Sequence, residues 1–223
     1  MRATFRTLSL SLAALALAAC TAATAPEPEA RARNVILFVG DGMGISTLTA
    51  IRIHAGQLEG SPGEDHVLPW DAFPHVALVK TYNTNQQVPD SAGTATAILT
   101  GEKTRSGVVG IGAAPPRGGC AASRGHELET LLERAEREGL ATGIVTTASI
   151  THATAAAAYA HAADRFWESD ADMPDAERAA GCRDIARQLV EFSAGDGIEV
   201  MLGGGRSRFL PASSGGIRQD ERD

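Results

Sequence analysis

Gln87 to Gly101 reads Q-V-P-D-S-A-G-T-A-T-A-I-L-T-G, and Ser91 is its most chemically suggestive residue. Pro89 and Asp90 stop an extended segment, and the small residues from Ser91 onward predict a helix. A hydroxyl at a helix start sits among free backbone N–H groups and the positive end of the helix dipole. A phosphate can rest there, and an attacking alkoxide is favoured there. The simpler role for Asp90 or Ser91 is that of a helix N-cap.

Two more stretches carry compatible chemistry. Asp41 stands between glycines in Gly40-Asp41-Gly42-Met43-Gly44, after an apolar run. A carboxylate held there suits a hard or borderline cation, although an aspartate also serves to form a turn. Ser149-Ile150-Thr151-His152-Ala153-Thr154 offers hydroxyls and an imidazole able to ligate a metal or its water shell. Further on, the Arg165 guanidinium could clamp a phosphate in bidentate fashion.

Competing motifs fail on their residues. A dinucleotide fingerprint needs a third glycine where Ile45 stands, and Asp41 would repel a pyrophosphate. Gly101-Glu102-Lys103-Thr104 has glutamate where a Walker loop joins Gly to Lys. Pro89 replaces the first glycine of a nucleophile elbow. Asp65-His66 and Asp71…His75 lie in or beside loops, Pro74 breaks any helical pairing of the second, and both read as surface residues.

The elements that must position these groups alternate. Asn34 to Val39 and Thr142 to Ala148 read as buried strands, with further strands over Val76 to Lys80 and Ile198 to Leu202. Helices are expected over Ile45–Ala55, Ser91–Leu99, His126–Glu138, Thr154–Ala163 and Ala176–Phe192. Alternation of this kind predicts an α/β fold with a mainly parallel sheet, its ligand beyond the carboxyl ends of the strands. Asp41 and the 149–154 loop fall at that edge. The chain closes on a charged tail, Arg218 to Asp223, with no terminating element.

Composition sets the outer bounds. The 223 residues are 43% hydrophobic and 21% charged, an ordinary globular balance with room for a core. A net charge of −7 and no basic run argue against a nucleic-acid-binding surface. Arg2, Arg6 and the apolar stretch Leu8–Ala19 make residues 1–19 a leader, too short to span a bilayer comfortably. Its end, L-A-A-C at 17–20, resembles a bacterial lipobox, with Cys20 lipid-modified and residues 20–33 a polar tether. Without residues 1–19 the net charge is −9. Export places Cys120 and Cys182 in an oxidising compartment as the available pair, and neither belongs to a C-x-x-C metal motif.

Taken together, V-G-D-G-M-G (39–44), K-T-Y-N (80–83), V-P-D-S-A-G-T-A-T-A (88–97) and T-G-E-K (100–103) closely resemble the alkaline phosphatase family. So do T-H-A-T (151–154), Y-A-H (159–161), W-x-S-D-A-D-M-P (167–174) and L-G-G-G-R (202–206). The resemblance implies a three-layer α/β sandwich and phosphomonoester hydrolysis through a phosphoserine, with two zinc ions and one magnesium. It assigns Ser91 as nucleophile and Arg165 as the phosphate clamp, with Asp90 orienting Arg165. Asp41 is the carboxylate shared between a zinc and the magnesium, Thr154 a magnesium ligand, and His152 reaches that metal through water. The 152/154 pair and the Cys120–Cys182 bridge are similar to the animal-type branch. The full-length family is commonly homodimeric.

The chain departs from the family in one respect. The remaining ligands (a glutamate, an Asp-x-x-x-His, an Asp-His pair and a further histidine) come later in the family's chain, and no histidine follows His161 here. Residues 34–223 therefore read as an N-terminal portion of the catalytic domain, expected to be inactive alone. Two other functions share parts of the pattern. A phosphodiesterase or sulfatase of the wider superfamily is disfavoured by serine at 91, and a lipid-anchored protein could bind phosphate without turnover.

Overall fold

The computed structural model describes residues 32–220. The leader, Cys20, most of the tether and the last three residues lie outside the described residues. Gly40–Asp223 form one compact unit, and residues 32–39 belong to a separate one. No described helix is long and apolar enough to cross a membrane.

The larger unit contains α1 (Ile45–Leu58), α2 (Ser91–Thr100), the single turn α3 (Cys120–Ser123), α4 (Leu131–Arg137) and β1 (Gly143–Ser149). It continues through α5 (Ala153–Ala156), α6 (Asp175–Ala179), α7 (Ile185–Val190) and β2 (Val200–Gly204). β1 and β2 pair in parallel, Gly143 opposite Val200 and Val145 opposite Leu202, with an irregularity before Ser149 meets Gly204. A parallel pair requires a crossover, and helices supply it. The class is α/β, as expected.

The core lies among α2, α5, α7 and β1. Ala92, Ala95, Ala153, Ala156, Tyr159 and Ile185 form one apolar cluster. Small side chains on α2 and α5 permit this close approach, and Thr96 of α2 accepts a hydrogen bond from the Gly110 N–H. A second cluster gathers Val108, Ile111, Ala163, Trp167 and Met173, with Cys120 and Cys182 packed against it.

Several expected elements are shorter than their periodicity suggests. Residues 126–130 are not helical, because Gly112 N–H donates to His126 O and Leu128 N–H to Gly110 O. α4 begins only after Thr130, whose hydroxyl accepts from Glu133 N–H while Glu133 accepts from Thr130 N–H. The alanine-rich helix stops early because Ala162 and Val109 exchange both backbone hydrogen bonds. The helix expected over 176–192 splits into α6 and α7 at Gly181, whose φ of 81° only glycine adopts readily. Asp184 then caps α7 through Arg187 N–H.

Asn34–Val39 and Val76–Lys80 carry no strand ladder. In the second segment Val76, Leu78 and Val79 are 86, 93 and 79% exposed. Their sequences suit buried strands, but a strand exists only where neighbouring backbone pairs with it.

His161 fastens the 107–112 loop to α4. Its Nδ1 lies 2.7 Å from Gly110 O and its Nε2 3.0 Å from Glu133 Oε1. Both neighbours are acceptors, so both ring nitrogens must carry protons. Burial works against that charge, but the Glu133 and Gly110 hydrogen bonds and the charges of Glu133 and Glu127 outweigh it and raise the His161 pKa. A raised folded-state pKa contributes stability that is complete below the unfolded value near ~6.5 and is lost as pH climbs through the folded value. Thermal unfolding midpoints should therefore fall as pH rises from slightly acid to alkaline, and His161→Gln should remove that part of the slope. Parallel profiles for the two proteins would refute the assignment.

Candidate active site

The site is built at the start of α2. Asp90 is the N-cap, and its carboxylate accepts from the N–H groups of Ala92 and Gly93 at 3.3 and 3.1 Å. This settles the capping question raised by the sequence. The cap is Asp90, so the Ser91 hydroxyl is not needed for it and faces elsewhere. Ser91 Oγ lies 3.0 and 2.9 Å from the two carboxylate oxygens of Asp41. Thr154 Oγ1, near the start of α5, donates to Asp41 Oδ2 at 2.9 Å. Two hydroxyl side chains, far apart in sequence, thus converge within hydrogen-bonding distance of Asp41.

Beside them lies a second group. Arg165 donates through one terminal nitrogen to Asp90 Oδ2 at 3.0 Å, and its other terminal nitrogen lies 3.0 Å from His152 Nε2. A guanidinium only donates, so His152 Nε2 is the acceptor in this pair. His152 also caps α5, its Nδ1 lying 3.4 Å from the Thr154 N–H. Arg165 is further held by its backbone N–H to Gly107 O at 2.8 Å, and its side chain is only 16% exposed. A guanidinium carries five N–H donors, so these bonds leave capacity for an anion.

The Asp90 carboxylate anchors this arrangement. Besides the cap it accepts from Asn83 Nδ2, Gly107 N–H and Arg165. Burial alone would raise its pKa. Hydrogen bonds from Gly93, Arg165, Asn83 and Gly107 outweigh burial and hold the pKa below the ordinary carboxylate value. Asp90 is thus a fixed anion beside Arg165.

The donor set at Asp41 (a carboxylate and two hydroxyls) is all hard oxygen, which fits a cation of the magnesium type. A zinc site draws three or four ligands from Cys, His and carboxylate groups. No three such groups converge at Asp41 among the described residues. The one such trio among the described residues is Cys120, Glu177 and Cys182, and its two sulfurs are joined in a disulfide. The described residues therefore fit part of a magnesium site and do not complete a zinc site.

Of the remaining candidates, Asp71 and His66 have structural partners. Asp71 pairs with Arg52 and accepts from Leu68 N–H, and His66 lies 3.3 Å from Glu59. Cys120 and Cys182 are bonded, with Cα atoms 6.2 Å apart. Cys20 lies outside the described residues. Asn83 and Gly107 were given no role from sequence, and Asn83 was visible only as the last residue of K-T-Y-N.

The alkaline phosphatase family model matches residues 32–223. Among curated proteins, the tissue-nonspecific alkaline phosphatase of Gallus gallus is 54% identical over 191 residues, covering 85% of this chain and 36% of its own length. That of Homo sapiens is 53% identical over 178 residues, covering 80% and 34%. The chain thus spans about a third of the length of these relatives. Among solved structures, Thermus thermophilus alkaline phosphatase aligns with a TM-score of 0.54 at 29% identity, over 77% of this chain and 29% of that one. The alkaline phosphatase of the Antarctic bacterium TAB5 aligns at 0.52 and 27%, over 76% and 40%. A mutant of that enzyme was solved with Mg bound. By the match across residues 32–223, with Ser91, Asp41, Thr154 and Arg165 gathered at one helix start, the chain belongs to the alkaline phosphatase family.

Proposed function

We propose that this chain carries the nucleophile and phosphate clamp of an alkaline phosphatase acting on phosphate monoesters through a phosphoserine. The observation behind it is the meeting of Ser91 and Thr154 on Asp41 beside the Asp90–Arg165 pair. Ser91 Oγ forms the new bond to phosphorus as the ester P–O bond breaks, and the leaving oxygen takes a proton from water to depart as the alcohol. The Ser91 proton leaves to solvent along its hydrogen bond to Asp41, which frees an oxygen lone pair for phosphorus. Arg165 binds the equatorial oxygens, where negative charge spreads in phosphoryl transfer. Water then releases phosphate and restores Ser91.

Asp41 and Thr154 would hold magnesium, with His152 reaching it through water. Divalent metal here would lower the cost of forming the serine alkoxide. The pair of zinc ions implied by the family needs ligands beyond those described. Residues 1–19 are proposed as an export leader, Cys20 as a lipid anchor at the membrane surface, residues 20–33 as a tether, and 34–223 as the N-terminal part of the catalytic domain. The full-length protein is proposed to be a homodimer.

The 223-residue chain supplied with zinc and magnesium is expected to release no p-nitrophenol from p-nitrophenyl phosphate. Robust release abolished by Ser91→Ala would overturn that. For the chemistry itself, the chain should be spliced to the remaining two-thirds of the Gallus gallus relative. This chimera should give an acid-trapped phosphopeptide containing phosphorylated Ser91. Phosphate that exchanges freely and never becomes covalent would mean binding without turnover.

A further inference from the structure

Asn83 is only 3% exposed and is held on every side. Its backbone N–H donates to Gln86 O at 3.0 Å, and Gln86 N–H returns the bond. Lys103 Nζ donates to the carbonyls of Lys80 and Tyr82 at 2.7 and 2.8 Å, which fixes the segment that precedes it. Its side chain lies against the first turn of α2. A Cβ added at Gly93 would come within 2.6 Å of Asn83 Oδ1, so glycine there lets the carboxamide approach the helix. From that seat Asn83 Nδ2 donates to Asp90 Oδ1 at 2.8 Å.

The two carboxylate oxygens of Asp90 face different partners. Oδ1 takes Asn83 and Gly93, while Oδ2 takes Gly107, Arg165 and the longer contact from Ala92. Asn83 is the side-chain donor on Oδ1, the oxygen opposite the one that meets Arg165. We infer that Asn83 is a positioning residue for the phosphate clamp, holding Arg165 in place through Asp90. This rests on the reading of Arg165 as the clamp.

The test uses the 223-residue chain with nitrogen-15-labelled arginine and magnesium present, the Arg165 signals being identified with Arg165→Lys. In the parent chain the two terminal nitrogens of Arg165 face different partners, Asp90 and His152, and should give separate resonances. Asn83→Leu, similar in shape but without a donor, should merge them by freeing guanidinium rotation. Asn83→Ser, which retains a donor, should preserve at least part of the separation. Affinity for inorganic phosphate, followed by phosphorus NMR, should fall on the order of tenfold in Asn83→Leu, as expected for weakening one charge-assisted hydrogen bond. Leu132→Ala, which opens the core but removes no group bonded to Asp90 or Arg165, controls for loss of stability and should leave the Arg165 signals separate. Signals that stay separate in Asn83→Leu would overturn the inference. If Arg165→Lys leaves phosphate affinity unchanged, the clamp reading fails instead, and the resonances still report whether Asn83 holds Arg165.

Discussion

Replacing Arg218 with methionine is expected to destabilise the fold by about 3–5 kcal/mol, the range for stranding one partner of a buried ion pair. The Arg218 side chain is 5% exposed and that of Asp184 3%. The guanidinium donates to both oxygens of Asp184 at 3.0 and 2.9 Å, and to Asp220 at 2.7 and 3.0 Å. Asp170 joins the cluster by accepting the backbone N–H groups of Gln219 and Asp220. Methionine would fill a similar volume while leaving Asp184 charged and buried. Asp184→Asn should therefore recover part of the loss when combined with Arg218→Met, since asparagine still caps α7 and carries no charge. Urea unfolding of the parent, the single variants and the double variant supplies the cycle. A single-variant midpoint equal to that of the parent would show that this cluster does not hold the fold.

The same residue shows where local sequence patterns stop being informative. Arg218 stood in a charged tail with no closing element, but the structure draws it inward. Its partner Asp184 lies 34 positions earlier in the sequence. No local periodicity encodes such a meeting. Elements with a local cause fared better. α2 begins where Pro89-Asp90 predicts, and β1 falls on the apolar run after Gly139. The helix expected from His126 lost its first turn to pairing with Gly110 and Gly112, a tertiary contact that overrides helix propensity. Gly181 was visible inside the expected 176–192 helix, but periodicity on both sides concealed its effect.

The site divides in the same way. Ser91 was identifiable because a helix start creates its environment locally. Its meeting with Asp41 spans 50 positions, and that of Thr154 with Asp41 spans 113. Only family resemblance could connect those residues before the structure was known. The resemblance named Asp90 as the residue that orients Arg165, but did not show what orients Asp90. That depends on Asn83 and Gly107, whose donors meet the carboxylate only after folding.

Removing the Cys120–Cys182 bridge is expected to cost about 4 kcal/mol, from the chain-entropy relation for a loop of this size. The cysteines are 62 residues apart, and the loop between them contains α4, β1, α5 and α6. Opening it restores to the unfolded chain the freedom of a segment that carries Thr154, His152 and Arg165. Both cysteines also pack against the Val108, Ile111, Ala163, Trp167 and Met173 cluster, so serine would add a polar penalty and alanine isolates the covalent effect more cleanly. The double variant Cys120→Ala/Cys182→Ala should unfold at lower urea than the oxidised parent. Reductant should move the parent toward the variant and leave the variant where it is. Identical midpoints for oxidised parent and double variant would rule out the bridge as a stabilising element. A shift in the parent alone on reduction would tie the stability of this helix-bearing loop to the oxidised state of the bridge.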